Sequence, residues 1–155
     1  MILTQKETSF LEDIKKQEQL CVEKYEKCEC EAKDQQLKSL FSSIASTEKQ
    51  HLDTITKILG GTVPSMQQGG CSSKEPSSFQ ATYKSSSLNN SDMEQDKFLC
   101  SDTLATEKHV SSVYNTSIFE FKDEEVRHAL NHIQGEEQHH GKIIYDYMNT
   151  NGMYC

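Results

Sequence analysis

A single offset of 89 residues lays the second half of this 155-residue chain over the first without a gap. It pairs Asp13 with Asp102, Glu18 with Glu107, Tyr25 with Tyr114 and Lys33-Asp34 with Lys122-Asp123. Further along it pairs Ile44 with Ile133, Glu48 with Glu137, His51 with His140 and Ile55 with Ile144. A duplication on this scale demands a fold that two like halves build together, with matched residues facing each other across a pseudo-twofold axis.

Each half reads as a helical hairpin. Apolar or small residues recur at Leu11, Ile14, Cys21, Tyr25, Cys28 and Ala32, the three-and-four spacing of one helix face, and predict helix A from about 8 to 32. Lys33-Asp34-Gln35-Gln36 breaks the pattern with an Asp suited to cap a new helix. The stripe resumes at Leu37, Phe41, Ile44, Ile55 and Ile58 as helix B, ending at Gly60-Gly61. Helix C runs from about 91 to 121 with Cys100, Leu104, Val110, Tyr114, Ile118 and Phe121 inward. Lys122-Asp123-Glu124-Glu125 repeats the capping break, and helix D carries Val126, Leu130, Ile133, Ile144 and Met148.

Residues 60–90 are rich in Gly, Ser, Gln and Asn, hold Pro64 and Pro76, and show no sustained period, so they read as a connection. A connection this long has a purpose if helices B and C are parallel, because the chain must then return the length of a helix, about 39 Å. Phe79 and Tyr83 are suited to pin such a strap to the bundle. The expectation is all-α: one domain over 1–155, an up-down-down-up four-helix bundle with hairpins at about 8–59 and 91–149 and a crossover between them.

Charged residues interrupt all four apolar stripes. Glu18 lies between Ile14 and Cys21, Glu48 and His51 between Ile44 and Ile55, Glu107 between Thr103 and Val110, and Glu137 and His140 between Ile133 and Ile144. No Lys or Arg shares these stripes, and unpaired buried carboxylates are very costly, so divalent cations are the natural compensation. Glu-x-x-His sets two ligands one turn apart on one face, and a lone Glu from each partner helix completes a pair of metals. Imidazole with carboxylate suits iron or manganese, with zinc a possible artefactual occupant. A single Glu-x-x-His is more often an exposed pair, but here two copies sit in register with apolar stripes. The shifted pair Glu136 and His139 competes on helix D, but the offset and the stripe both select Glu137 and His140. His109, His128 and His132 fall off the stripes and read as solvated. Tyr25 and Tyr114 read either as core aromatics or as donors of a hydrogen bond that orients a metal-bound Glu.

The net charge of −8 leaves no basic footprint for nucleic acid. No run approaches the roughly 20 apolar residues of a membrane span, and the first residues carry no signal-peptide pattern. The six cysteines lack paired C-x-x-C spacing: Cys21 and Cys100 read as core, while Cys71 and Cys155 are placed for intermolecular links.

Glu18, Tyr25, Glu48 and His51, repeated as Glu107, Tyr114, Glu137 and His140, resemble the rubrerythrin and ferritin superfamily over nearly all the chain outside the strap. A closer similarity is to the spore coat F family. It is carried by Leu3-Thr4-Gln5-Lys6-Glu7, Leu11-Glu12-Asp13-Ile14, Lys24-Tyr25, Asp34-Gln35-Gln36-Leu37-Lys38, Gln50-His51 and the tail Tyr147-Met148-Asn149-Thr150-Asn151-Gly152-Met153-Tyr154. These resemblances imply a ferritin-like bundle, synthesis in the mother cell, deposition in the spore coat, and coat proteins or further copies of the chain as partners. Without a rubredoxin-like cysteine quartet there is no built-in electron donor. The spore coat F resemblance implies no known reaction; the two-metal ligand set leads to one expectation, a di-iron or di-manganese oxidoreductase acting on peroxide, oxygen or ferrous ion. The competing expectation is a structural coat component whose metal site is vestigial or merely stabilising.

Overall fold

The computed structural model describes residues 2–65 and 82–154. Four helices and no strand occur among them: α1 (Gln5–Glu31), α2 (Gln35–Leu59), α3 (Asn90–Ile118) and α4 (Glu124–Thr150). Phe79, Cys71 and Cys155, assigned above to strap pinning and intermolecular links, lie outside the described residues.

The helix starts follow from their caps. Asp34 accepts a hydrogen bond from Gln36 N, and Asp123 accepts from Glu125 N and Val126 N, which supplies partners for backbone groups left open at a helix start. Helix α1 begins three residues before the predicted start. Thr4 and Glu7 form a reciprocal capping box, a Thr-x-x-Glu signature the apolar stripe does not reveal. Helix α3 ends at Ile118 rather than near 121. Phe121 nevertheless stays buried, packed from the turn into the core. After α4, Gly152 adopts a φ of 63°, which lets Met153 N reach Met148 O at 2.8 Å and turns Met153 back into the core.

Helices α1 and α2 pack as one hairpin and α3 and α4 as another. Across the hairpins, Tyr25 meets Glu107 and Tyr114 meets Glu18, so residue numbers rise along α1 as they fall along α3. His51 faces Glu137 and His140 faces Glu48, giving the same opposed sense to α2 and α4. Two apolar clusters fill the bundle. One holds Leu37, Phe41, Ile44, Leu99, Cys100, Ile144 and Tyr147; the other holds Leu11, Ile14, Ile55, Ile58, Val110, Leu130 and Ile133. Each fully buried aliphatic side chain contributes about 1.5–3 kcal/mol.

Two buried acids tie the hairpins together, and the 89-residue offset relates them. Asp96 of α3, fully buried, accepts from Lys33 N at 2.7 Å and Asp34 N at 2.8 Å in the α1–α2 turn. Glu7 of α1 accepts from Lys122 N at 3.1 Å in the α3–α4 turn. Tyr147 adds a bond from its hydroxyl to Asp34 Oδ2 at 2.8 Å. Residues 82–89 dock beside this end of the bundle. Tyr83 packs edge-on against Tyr147 with ring centroids 5.4 Å apart, and Lys84 exchanges hydrogen bonds with the Gln36 side chain, so the pinning role anticipated for Tyr83 is realised.

Removing the Asp96 carboxylate leaves one buried and one part-buried amide unpaired, so Asp96→Ala is expected to destabilise the protein by about 2–3 kcal/mol. For a chain of this size that is a drop of roughly 4–12 °C in Tm by thermal circular dichroism. An unchanged Tm would show that the turn is held by other contacts.

Candidate metal centre

Between the two apolar clusters, the interruptions of the four stripes meet. Glu18 comes from α1, Glu48 and His51 from α2, Glu107 from α3, and Glu137 and His140 from α4, and none is more than 3% exposed. The helical period explains the convergence: Glu48 with His51, and Glu137 with His140, stand one turn apart on the inward face of their helices.

Their ligand atoms form two groups, Glu18–Glu48–His51–Glu137 and Glu48–Glu107–Glu137–His140, in each of which all four atoms lie within 4.8 Å of one another. Glu48 and Glu137 belong to both. His51 Nδ1 lies 3.3, 3.2 and 3.7 Å from Glu48, Glu137 and Glu18. His140 Nδ1 lies 3.1, 3.4 and 3.7 Å from Glu48, Glu137 and Glu107. The two imidazoles stack with centroids 5.8 Å apart. No Lys or Arg ion pair reaches the six residues among those described.

The donor set fits divalent cations. Among the described residues seven buried side-chain polar atoms lack a hydrogen-bond partner, and six belong to this cluster: Glu18 Oε2, Glu48 Oε1, Glu107 Oε2, both Glu137 oxygens and His140 Nδ1. Several of these sit at ion-pair distance from an imidazole without the angles of a hydrogen bond. Orphaned buried oxygens are rare because each is costly, and a cation supplies the missing partner for many at once.

Two tyrosines hold carboxylates in place. Tyr25 donates to Glu107 Oε1 and Tyr114 donates to Glu18 Oε1, each across to the other hairpin. Seven residues along one helix is about 10 Å, too far for either tyrosine to reach its own helix's glutamate. Burial, then the facing Glu107 or Glu18, pushes both phenols well above their ordinary range, so they remain proton donors.

Burial and the imidazole–carboxylate contacts divide control of protonation in the metal-free cluster, and burial wins at two of the acids. It pushes Glu18 and Glu107 up to about 8, against an ordinary value near 4.5. Burial also pulls on both histidines, but surrounding carboxylates outweigh it. His51 is raised by Glu136, Glu137, Glu18 and Glu48, and His140 is raised to about 11 by Glu107, Glu137 and Glu48. Glu137 moves the other way, held low because His140 and His51 outweigh its burial. Without metal, the cluster therefore combines protonated acids with imidazolium ions.

Glu136 is a residue the sequence reading set aside. It is not among the converging ligand atoms; instead its carboxylate lies 2.8 Å from His51 Nε2, on the ring's outer side, and that imidazole holds it below the usual carboxylate range. The Glu-Glu pair at 136–137 carries the signal, since Glu136 lies 100° around the helix from the inward face. His109, His128, His132 and His139 are exposed, as the stripes indicate. Cys21, read as core, is buried, and its thiol is pushed up by burial and then by the four ligand-set carboxylates, which makes it a site neighbour.

Residues 95–154, most of α3 and all of α4, match the family model of the Coat F domain. No curated protein and no solved structure matches the chain. The similarity to the spore coat F family seen in the sequence therefore holds over the second hairpin, including Glu107, Glu137 and His140.

The raised carboxyl and imidazole values fix the pH dependence of the metal-free protein. Between about pH 4.5 and 8 the folded state binds more protons than the unfolded chain at Glu18 and Glu107, and His140 acts in the same sense from about 6.5 to 11. The lowered Glu137 and Glu136 act only below about 4.5. Thermal unfolding of chelator-treated protein is expected to show Tm falling steadily from about pH 5 to 9. A rising Tm would mean that the acids are ionised throughout.

Proposed function

With a Coat F domain over residues 95–154 as premise, we propose that this chain is a spore coat protein that holds two iron or manganese ions in the core of a single ferritin-like bundle. The observation that carries this is the pair of buried four-ligand groups sharing Glu48 and Glu137, with their orphaned oxygens. The opposed pairings of α1 with α3 and of α2 with α4 support an up-down-down-up order with residues 60–89 as the crossover. The 89-residue duplication supports extending the family reading from the second hairpin to the first.

In this reading Glu18, Glu48, His51 and Glu137 would hold one ion and Glu48, Glu107, Glu137 and His140 the other, with Glu48 and Glu137 common to both groups and His51 and His140 as the nitrogen donors. Bound iron or manganese supplies redox chemistry toward peroxide, oxygen or ferrous ion. The chain's own residues do the rest. Tyr25 and Tyr114 fix the orientation of Glu107 and Glu18, and the apolar clusters above and below keep bulk water from the ligand set. Protons held by Glu18, Glu107 and the imidazoles must leave as cations enter, so uptake strengthens with rising pH. The sites of action are the mother cell and then the coat, with other coat proteins or further copies as partners. None of the described helices is long and apolar enough to cross a membrane.

One observation favours a second reading, a structural coat component with a vestigial or stabilising site. The metal-free cluster already compensates itself, since imidazolium groups lie against Glu137 and burial keeps Glu18 and Glu107 protonated at neutral pH.

Metal analysis by mass spectrometry separates the two. Protein produced with iron and manganese supplied is expected to carry about two ions per chain, and the Glu48→Ala/Glu137→Ala variant essentially none while staying helical. The loaded parent should then consume peroxide or oxidise ferrous ion faster than free metal, and the variant should not. A folded parent that takes up no metal establishes the structural reading instead.

A further inference from the structure

The two halves of the centre match at every ligand and differ just outside them. His51 is gripped from both sides: Nδ1 faces Glu18, Glu48 and Glu137, and Nε2 lies 2.8 Å from Glu136 Oε2. The same Glu136 oxygen lies 3.5 Å from Nε2 of the exposed His132 on the solvent side. The 89-residue offset places Thr47 opposite Glu136 and Ser43 opposite His132. Thr47 turns its hydroxyl back to Ser43 O at 3.4 Å, and no described residue pairs with His140 Nε2.

A carboxylate on Nε2 keeps a proton on that nitrogen, so the proton that leaves when a cation binds is the one on Nδ1, the nitrogen that faces the ligand set, and the same contact stops the ring from turning. His51 is thus preorganised to bind metal. His140 faces its ligand set through Nδ1 alone and has no carboxylate among the described residues to hold its ring from the Nε2 side. We infer that Glu136 makes the two subsites unequal, so that a divalent cation fills the Glu18–Glu48–His51–Glu137 half first and more tightly, and the Glu48–Glu107–Glu137–His140 half second. The inference rests on the two-metal reading above. Glu136 is a positioning residue, acting on the cation only through His51.

The test is titration of the metal-free full-length protein with cobalt(II), followed by calorimetry, visible absorption and proton NMR. The parent should bind two ions in resolved steps. The first equivalent should bring out one paramagnetically shifted, slowly exchanging imidazole N–H, the His51 Nε2 proton shielded by Glu136. Glu136→Ala should weaken the first step roughly 10- to 100-fold, leave the second within a few-fold, keep a stoichiometry of two, and lose the slowly exchanging signal. Unchanged far-ultraviolet circular dichroism in that variant excludes a folding defect. Two inseparable steps in the parent, or equal weakening of both steps in Glu136→Ala, would overturn the inequality while leaving the two-metal reading intact. No cobalt uptake by a folded parent would overturn both.

Discussion

Four carboxylates buried in the middle of an apolar bundle are the constraint around which the rest of the molecule is arranged. Glu18, Glu48, Glu107 and Glu137 are each at most 3% exposed, and no lysine or arginine reaches them among the described residues. Such a cluster survives only if the groups are protonated, paired with imidazolium, or bound to cations. The metal-free protein uses the first two, and the geometry of the ligand atoms suits the third. The same six side chains therefore serve both a folded state without metal and a site able to take metal. The expected pH dependence of stability is a consequence of that protonation.

Duplication is the economical way to build such a centre. One hairpin supplies a glutamate from its first helix and a Glu-x-x-His from its second, and a second copy facing it doubles the set and creates the shared positions Glu48 and Glu137. The pseudo-symmetry extends beyond the ligands. Tyr25 and Tyr114 each brace the other hairpin's glutamate, and Glu7 and Asp96 each accept backbone amides from the other hairpin's turn. These exchanges set the relative height of the hairpins. A slide of one helical turn, about 5.4 Å, would separate every brace from its partner. The buried acids at the bundle ends thus fix the registry that brings the central carboxylates together.

The Coat F match covers the hairpin that holds Glu107, Glu137 and His140. In the first hairpin the same ligand pattern recurs. The departures from symmetry then become informative, because a duplicated frame makes each of them visible against its counterpart. Glu136 against Thr47 is one such departure, adjacent to the ligands and polar.

Much of this molecule is written in its linear pattern. The helical stripes and the six inward acids and imidazoles follow from the 3.6-residue period, the capping aspartates Asp34 and Asp123 from their side-chain chemistry, and the offset from the repetition of the sequence itself, all properties of the linear chain. The Thr4–Glu7 capping box and the Glu7–Asp96 pair were also legible, through a known motif and through the offset. Periodicity alone passes over both, because it weighs apolar residues and treats an acid near a helix start as solvated. Other features belong to the tertiary structure alone. That Tyr25 reaches Glu107 rather than its own helix's glutamate, that Tyr147 binds Asp34, and that Glu136 holds His51 are contacts between residues 82 or more positions apart. A helix face tells which side chains point inward; only the packing of one helix against another decides which of them meet.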